Sequence, residues 1–550
     1  MFNMSESFVK RVEEVIVKRW DSGVLSNYRG VTYAYRDVAR KIAKLHILFE
    51  ESGIQKGDKV ALCGRNSADW GVLYMGTLTY GAVAVPILND FTPEIVHNIV
   101  NHSEAKLLCA GDGTWDHLDF SAMPNIMGAL RIEDFSIRES RSEALRATRA
   151  KLNELFGKRY PERFSAKDVC YEAEPSLDTL AMINYTSGST GLSKGVMLSY
   201  ASMLGNLDFA IQALGKHPGK TVVSMLPMAH MYGMAFEFIY EFMTGMHIYF
   251  LTKVPSPQII ADALANVKPA IVIAVPLIIE KIVRKKVFPM LEKPHMKVLM
   301  SIPLVNDKIR ETIREKLLAA FGGNVIEVVI GGAALNKDVE NFLRSINFPY
   351  TVGYGMTECG PILSYDWWET FKPGSCGKAA LGMTLKIDSA DPENIVGEIC
   401  AKGQNVMQGY FKNEEATAEA IDSDGWLHTG DLGVIDKDGY LFIRGRIKNM
   451  LLGPSGQNIY PEEIEDKLNN LLYVGESVVV DRGGRLVALV YPDMEQVEAN
   501  PVEDLHAAIT ADVKVLNKEL PNYSQISSVE VRDTEFEKTP KKSIKRYLYK

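Results

Sequence analysis

With 550 residues, 46% of them apolar and 24% charged, the chain has the make-up of a globular protein too long for one hydrophobic core, so two or more domains are expected. A formal charge of −8 argues against nucleic acid as a partner, and an anionic substrate then needs cations placed locally. Six cysteines (Cys63, Cys109, Cys170, Cys359, Cys376 and Cys400) stand far apart with no Cys-x-x-Cys pair, which points to reduced thiols in a cytoplasmic protein rather than disulfides or zinc.

The first twenty residues are amphipathic and lack the apolar block of a signal peptide. Their face of Phe8, Val12, Val15 and Ile16 either docks onto the protein itself or touches lipid. The longest purely apolar run, Ala270 to Ile279, is too short for a bilayer and contains Pro276. No transmembrane segment is expected, and any membrane contact is peripheral. A second amphipathic helix is predicted over Thr32 to Gly53. Buried strands are predicted at Asp58 to Asn66, Gly81 to Ile87 and Lys106 to Gly111, with a helix between the first two. That β-α-β order predicts a mostly parallel sheet covered by helices. From about Met123 to Asp168 the pattern is charged and helical.

The stretch Tyr185 to Val196, YTSGSTGLSKGV, sets hydroxyls among glycines and ends near one cation, Lys194. Glycines let backbone N–H groups approach an anion, hydroxyls donate hydrogen bonds, and the lysine adds charge. The apolar strand Thr179 to Tyr185 precedes it and a helical pattern from Tyr200 to Leu214 follows, and a strand, such a loop and a helix form a phosphate site at the edge of an α/β sheet. No Gly-Lys-Ser/Thr closes the loop, so it is not a P-loop, and its plain alternative is a solvated linker.

Further strands are predicted at Thr221 to His230, running into a turn that presents His230, Met231 and Tyr232, then at IYFL, Ala270 to Pro276, Lys297 to Ile302 and Val325 to Leu335. A helix is predicted over Asp307 to Phe321. The GGAAL turn after the last strand lets a flat ligand lie on the backbone. In VGYGMTECGP, Tyr354 offers a ring face, Thr357 a hydroxyl and Glu358 a carboxylate, which a nucleotide with Mg²⁺ needs. In WLHTGDLG, Asp431 is a carboxylate able to accept two hydrogen bonds from a ribose diol, or else a plain turn residue. After Arg444 to Glu465 the character changes to short strands (Glu476 to Asp481, Arg485 to Tyr491), a helix (Val502 to Leu520) and a basic tail, a compact second domain.

Together, YTSGSTGLSKGV, LPMAHMYG, GGAAL, YGMTE, WLHTGDLG and GRIKNMLLGPSGQNIYPEEIE resemble, in order and spacing, the adenylate-forming (AMP-binding) superfamily of acyl-CoA synthetases, adenylation domains and luciferases. The resemblance covers about Asp58 to the C-terminus. It implies an α/β fold: a large N-terminal adenylation domain (1–447) of parallel-rich sheets flanked by helices with a β-rich portion, and a small mobile C-terminal α+β lid (448–550). It also implies two half-reactions, in which a carboxylate and ATP give an acyl-adenylate and pyrophosphate, and coenzyme A then displaces AMP.

Carried over position by position, the resemblance gives Thr186, Ser187, Gly188, Ser189, Thr190 and Gly191 to the β- and γ-phosphates, with Lys194 closing the loop. It gives Thr186 and Glu358 to Mg²⁺, and Thr357 to the α-phosphate. Gly332, Ala333 and Tyr354 would frame the adenine with Gly353 beside them, and Asp431 with Arg446 would hold the ribose, a surface ion pair being the rival role for Arg446. His230 would line the acyl pocket with Met231 and Met234, Lys448 would be the hinge, and Gly456 would line the coenzyme A channel. The family places its adenylation lysine in a segment like TPSGKIKR. Here Thr539 to Arg546 reads TPKKSIKR, with Ser543 in that register, so a one-residue shift would bring Lys542 to the site. A solvated basic tail is the alternative.

The stretch Val222 to Phe236 has no acidic residue to pair with an α-amino group, which points to an uncharged-tail acid. Apolar residues near the expected pocket (Met228, Met231, Met234, Phe236, Val275, Leu277, Ile278) suit an acyl chain, and the resemblance is nearest to bacterial long-chain fatty acyl-CoA synthetases. The rival readings are a ligase loading an external acyl carrier protein and a non-catalytic nucleotide- or fatty-acid-binding protein. Oligomeric state is left open, a homodimer among the alternatives.

Overall fold

VAVPI is apolar at every position and KVALC at every position after Lys59, the mark of strands covered on both faces, and they form the middle of an eight-stranded sheet. The computed structural model describes residues 7–186, 194–253, 256–452, 457–539 and 544–549, the side chains of 285 and 286 excepted. Across the sheet the strands run Gly409–Tyr410, Lys194–Ser199, Leu180–Thr186, Val83–Ile87, Lys59–Cys63, Ala105–Ala110, Gly128–Arg131 and Ile137–Ser140. The central pairs are parallel and the outer pairs antiparallel. Helix Ala68–Tyr80 is buried on all sides; Ser67 caps its start and Gly81, at φ 88°, ends it.

A parallel three-stranded sheet (Ile271–Ala274, Glu327–Ile330, Tyr350–Val352) stands beside a four-stranded one (Thr221–Ser224, His247–Phe250, Gly23–Asn27, Thr32–Ala34). The β-rich portion is an antiparallel sheet of Met383–Asp388, Gly397–Gly403, Leu427–Ile435 and Leu441–Arg446. Beyond it, Val474–Asp481, Leu486–Pro492 and Ile526–Val531 form a small sheet with helices Pro461–Leu468 and Leu505–Leu516, built around apolar clusters of its own. The whole is α/β, with a large N-terminal and a smaller C-terminal part. Among the described residues no helix is long and apolar enough to cross a membrane.

Helix Phe8–Lys18 buries Phe8, Val12, Val15 and Ile16 in the main core, so its apolar face is covered by the protein itself. The Glu174 carboxylate caps the start of this helix, accepting from Phe8 N at 2.7 Å, from Val9 N at 3.3 Å and from the Ser7 hydroxyl.

Four sequence expectations change. Thr32 to Gly53 begins as a short strand before helix Tyr35–Ser52. The stretch from Met123 to Asp168 contains the last two strands at one side of the large sheet ahead of helices Glu143–Ala150 and Leu152–Arg159. The glycine-hydroxyl stretch does not lead straight into a helix: strand Lys194–Ser199, not expected from the sequence, precedes helix Tyr200–Leu214, whose expected bounds hold. Finally, the run Lys297 to Ile302 is not a core strand: helix Pro294–Met300 covers most of it, with Pro294 preset for a first helical turn. Apolar runs signal strands only where the fold buries them, and from Phe288 to Thr312 no residue is buried.

The core also holds carboxyls. Glu237 accepts from the backbone N–H groups of Met225 (3.0 Å) and Leu226 (2.8 Å). Glu241 is wholly buried, neither of its oxygens has a partner among the described residues, and burial pushes it up to about 8. A carboxyl raised in the folded state favours folding while protonated. Its contribution is complete below the ordinary value of 4.5 and is lost as pH rises through about 8. Glu241→Gln should therefore match the native protein in chemical denaturation at pH 4.5 and unfold at higher denaturant than it at pH 8.5. Equal midpoints at both pH values would remove this account.

Candidate active site

The glycine-hydroxyl stretch joins two antiparallel strands whose last and first described residues, Thr186 and Lys194, are paired across the ladder. Lys194 turns its ammonium over the ring of Tyr410, 4.7 Å from the centroid. Tyr410 lies on the neighbouring edge strand, opposite Val196, and donates its hydroxyl to Glu358 Oε1 at 2.9 Å. Burial, then the Glu358 charge, raise the Tyr410 phenol, so it remains a donor. Lys194 and Glu358 are thus linked through one tyrosine, and Thr186 joins them only as the ladder partner of Lys194. The Glu358 backbone is fixed too, its carbonyl accepting from Met407 N at 2.8 Å.

Thr357 is buried on the turn Thr357–Cys359, next to Glu358. Helix Tyr200–Leu214 anchors that turn through buried Asn206, which donates to the Cys359 carbonyl at 3.2 Å and accepts from Ile362 N at 2.9 Å. The helix therefore supports the turn from behind, and its own N-terminus lies at the far end of strand Lys194–Ser199.

Gly332 and Ala333 are exposed at the C-terminal end of strand Glu327–Ile330, and Gly353 follows the adjacent parallel strand. Gly332 adopts φ 86°, and a Cβ there would meet only Val275 at 3.9 Å. Loops at the carboxyl ends of parallel strands are where α/β sheets take ligands. Tyr232 ties the MAHMYG turn to this edge, donating to the Val329 carbonyl at 3.0 Å, while Asn184 donates to the Ala229 carbonyl at 2.9 Å. Half-buried His230 caps the short helix after it, Nδ1 accepting from Tyr232 N at 3.2 Å.

Tyr354 reaches the β-rich sheet. Its hydroxyl donates to Asp431 Oδ2 at 2.6 Å, and Arg446 Nε lies 2.8 Å from Asp431 Oδ1. Asp431 is almost wholly buried, while Arg446 is 67% exposed, so the ion pair forms at the mouth of a covered carboxylate. Burial raises Asp431, and Arg446 and Tyr354 oppose that. A bulge aims the residue: Thr429, Gly430 and Asp431 stand opposite the single residue Ile399. Glu398 secures the bulge, accepting from Gly430 N at 2.9 Å through one oxygen and pairing with His428 Nδ1 at 2.8 Å through the other.

Residues 12–411 match the family model described as AMP-binding enzyme, and residues 449–549 match that of the AMP-binding enzyme C-terminal domain. The chain belongs to the AMP-binding enzyme family. It is similar to the long-chain-fatty-acid–CoA ligase FadD15 of Mycobacterium bovis, 29% identical over 97% of this chain and 92% of that one. It is also similar to the long-chain-fatty-acid–CoA ligase ACSBG2 of Gallus gallus, 27% identical over 84% of this chain. There the match spans 65% of the relative, less than two thirds of its length. Among solved structures, ATP-bound MatB from Rhodopseudomonas palustris has the same fold, with a TM-score of 0.76 at 22% identity over 98% of each chain. A fatty acyl CoA synthetase of Mycobacterium tuberculosis has a TM-score of 0.66 at 21% identity, over 99% of this chain and 97% of that one.

In this AMP-binding enzyme Lys194 and Glu358 meet at Tyr410, with Thr186 opposite Lys194 on the ladder and Thr357 next to Glu358 on the turn, while Tyr354 and Arg446 meet at Asp431. Ser187, Gly188, Ser189, Thr190, Gly191, Gly456 and Lys542 lie outside the described residues. Met231 and Met234 are buried in the main core, so an acyl chain reaching them needs those side chains to move aside. Exposed Lys448 sits on the turn Ile447–Asn449, directly after Arg446. Sequence reasoning missed Tyr410 and Glu398. QGYFK has no recognisable motif, and only the pairing of Gly409–Tyr410 with Lys194–Ser199 reveals the tyrosine.

Tyr354→Phe removes one of the hydrogen bonds to a buried carboxylate while keeping the ring. The expected cost is about 1–3 kcal/mol, read as a lower urea midpoint at neutral pH. An unchanged midpoint would show that Asp431 does not rely on this hydroxyl.

Proposed function

We propose that the protein activates a fatty acid, long-chain by preference, with ATP and passes the acyl group to coenzyme A. The observation that carries this reading is Asp431, a buried carboxylate on a bulge with one oxygen on Tyr354 and the other on Arg446, its remaining lone pairs able to accept a ribose diol. The relatives support the acyl-CoA part, since both are named as long-chain-fatty-acid–CoA ligases.

In the first half-reaction the acid's carboxylate attacks the α-phosphorus of ATP and pyrophosphate leaves. In the second the thiol of coenzyme A attacks the acyl carbonyl and AMP leaves. Positioning and charge neutralisation are the protein's main contributions. Thr186 to Gly191 and Lys194 would hold the terminal phosphates, Thr357 would donate to the α-phosphate, and Gly332, Ala333, Gly353 and Tyr354 would frame the adenine. Glu358 Oε2 has no bond among the described residues, and with the Thr186 hydroxyl it offers the hard oxygens that Mg²⁺ takes. When bound, that ion would neutralise phosphate charge. His230 is the candidate contact for the acid's carboxylate. Residues 448–550 would act as a lid turning about Lys448, with Gly456 on the thiol's route and Lys542 as the cation of the first half-reaction.

Pyrophosphate release from ATP should require Mg²⁺, favour palmitate over acetate or an aryl acid, and proceed to a thioester with coenzyme A rather than with free carrier protein. Faster turnover of acetate would sink the chain-length part, and ATP binding with no release for any acid would sink the enzyme.

The two half-reactions also separate the proposed roles. Lys542→Ala should slow acyl-adenylate formation about a hundredfold while sparing thioester formation from supplied acyl-adenylate. Lys448→Pro should slow one half-reaction far more than the other. Undiminished adenylation in the first variant, or equal loss in the second, would reject the assignment concerned.

A further inference from the structure

Between strands Ile271–Ala274 and Glu327–Ile330 the chain builds far more than a crossover requires. Helix Pro276–Ile282 starts directly after the strand, a further helical stretch ends at Leu291, and helices Pro294–Met300 and Pro303–Ala320 meet at a tip. From Phe288 to Thr312 no residue is buried, although the run Lys297 to Ile302 within it is apolar enough to read as a core strand. At the tip Val298 is 64% exposed, Ile302 46% and Leu304 85%, with Leu299 beside them. Isolated apolar residues on a surface need no explanation, but four large ones on one helical corner do.

The charge around them is equally uneven. Residues 281–310 carry eight lysines and arginines against two acidic residues, a net +6 in a chain whose total is −8. Lys281, Lys293, Lys297 and Lys308 are exposed and form no ion pair among the described residues. An apolar tip on a protrusion that also carries unpaired ammonium groups complements one kind of surface: hydrocarbon beneath anionic headgroups. A water-soluble acidic partner would match the lysines and leave the tip uncovered.

We propose that this corner docks the protein onto anionic lipid bilayers, Val298, Leu299, Ile302 and Leu304 entering the acyl boundary while the lysines meet the headgroups. The protrusion leaves the sheet at Val275, whose side chain lies beside Gly332 of the candidate active site. If the proposed fatty-acid activity holds, docking brings that site to where the substrate partitions. The docking itself does not depend on that activity.

The experiment is co-sedimentation of the full chain with vesicles of equal parts phosphatidylcholine and phosphatidylglycerol, and with phosphatidylcholine alone. Binding to the mixed vesicles, weakened by salt and by omission of the anionic lipid, is expected. Val298→Ser with Leu304→Ser should lower partitioning about tenfold. Lys293→Glu with Lys297→Glu should abolish the preference for anionic lipid without touching the apolar tip. No variant should alter the chain's far-ultraviolet circular dichroism. Native protein left in the supernatant at low salt, or a serine variant that sediments like the native chain, overturns the proposal. So does sedimentation velocity giving a dimer that the serine variant dissolves, which would assign the tip to a second copy.

Discussion

A charge held out of water constrains everything around it, and in this protein that charge is Asp431. A buried carboxylate is tolerable only with partners on its oxygens, and it has two: a phenol from the segment after the three-stranded sheet and a guanidinium from the neighbouring strand. The pair therefore fastens the β-rich sheet to the α/β layers at the candidate site. Moving either layer by an ångström would strand the carboxylate. The bulge behind it, held by Glu398 and Thr429, shows how much local structure is committed to that one side chain.

Tyr410 does the corresponding work beside the glycine-hydroxyl loop. Its ring takes an ammonium and its hydroxyl takes a carboxylate, so groups of opposite sign are kept near one another without neutralising each other directly. A direct ion pair between Lys194 and Glu358 would occupy both; a tyrosine between them leaves the carboxylate a second oxygen to offer.

What could be read beforehand divides by cause. Residues whose chemistry is unusual in their setting were legible: hydroxyls among glycines, an aspartate between glycines, a Tyr-x-x-Thr-Glu in a turn. Their grouping was not, because Tyr354 and Asp431 meet only when two sheets pack. Central strands such as Val83–Ile87 were visible as unbroken apolar runs, since parallel strands are covered on both faces. The same rule misread Lys297 to Ile302, because composition reports a preference for burial and only the fold decides whether burial is supplied. Strand Lys194–Ser199 was missed because it follows the glycine-rich loop immediately and its six residues show no clean alternation, with burial falling on neighbouring positions.

That strand changes what kind of anion grip the loop can offer. A loop opening onto a helix borrows partial positive charge from the aligned peptides behind it, whereas a loop between antiparallel strands has no such reservoir, since strand dipoles alternate. Its cationic character rests on one ammonium at a defined rung of a ladder. Side chains alternate along a strand, so a slip of one residue would carry that ammonium to the opposite layer of the sheet. Loops of other lengths could be exchanged here between distant homologues only if the Thr186 and Lys194 rung survives the exchange.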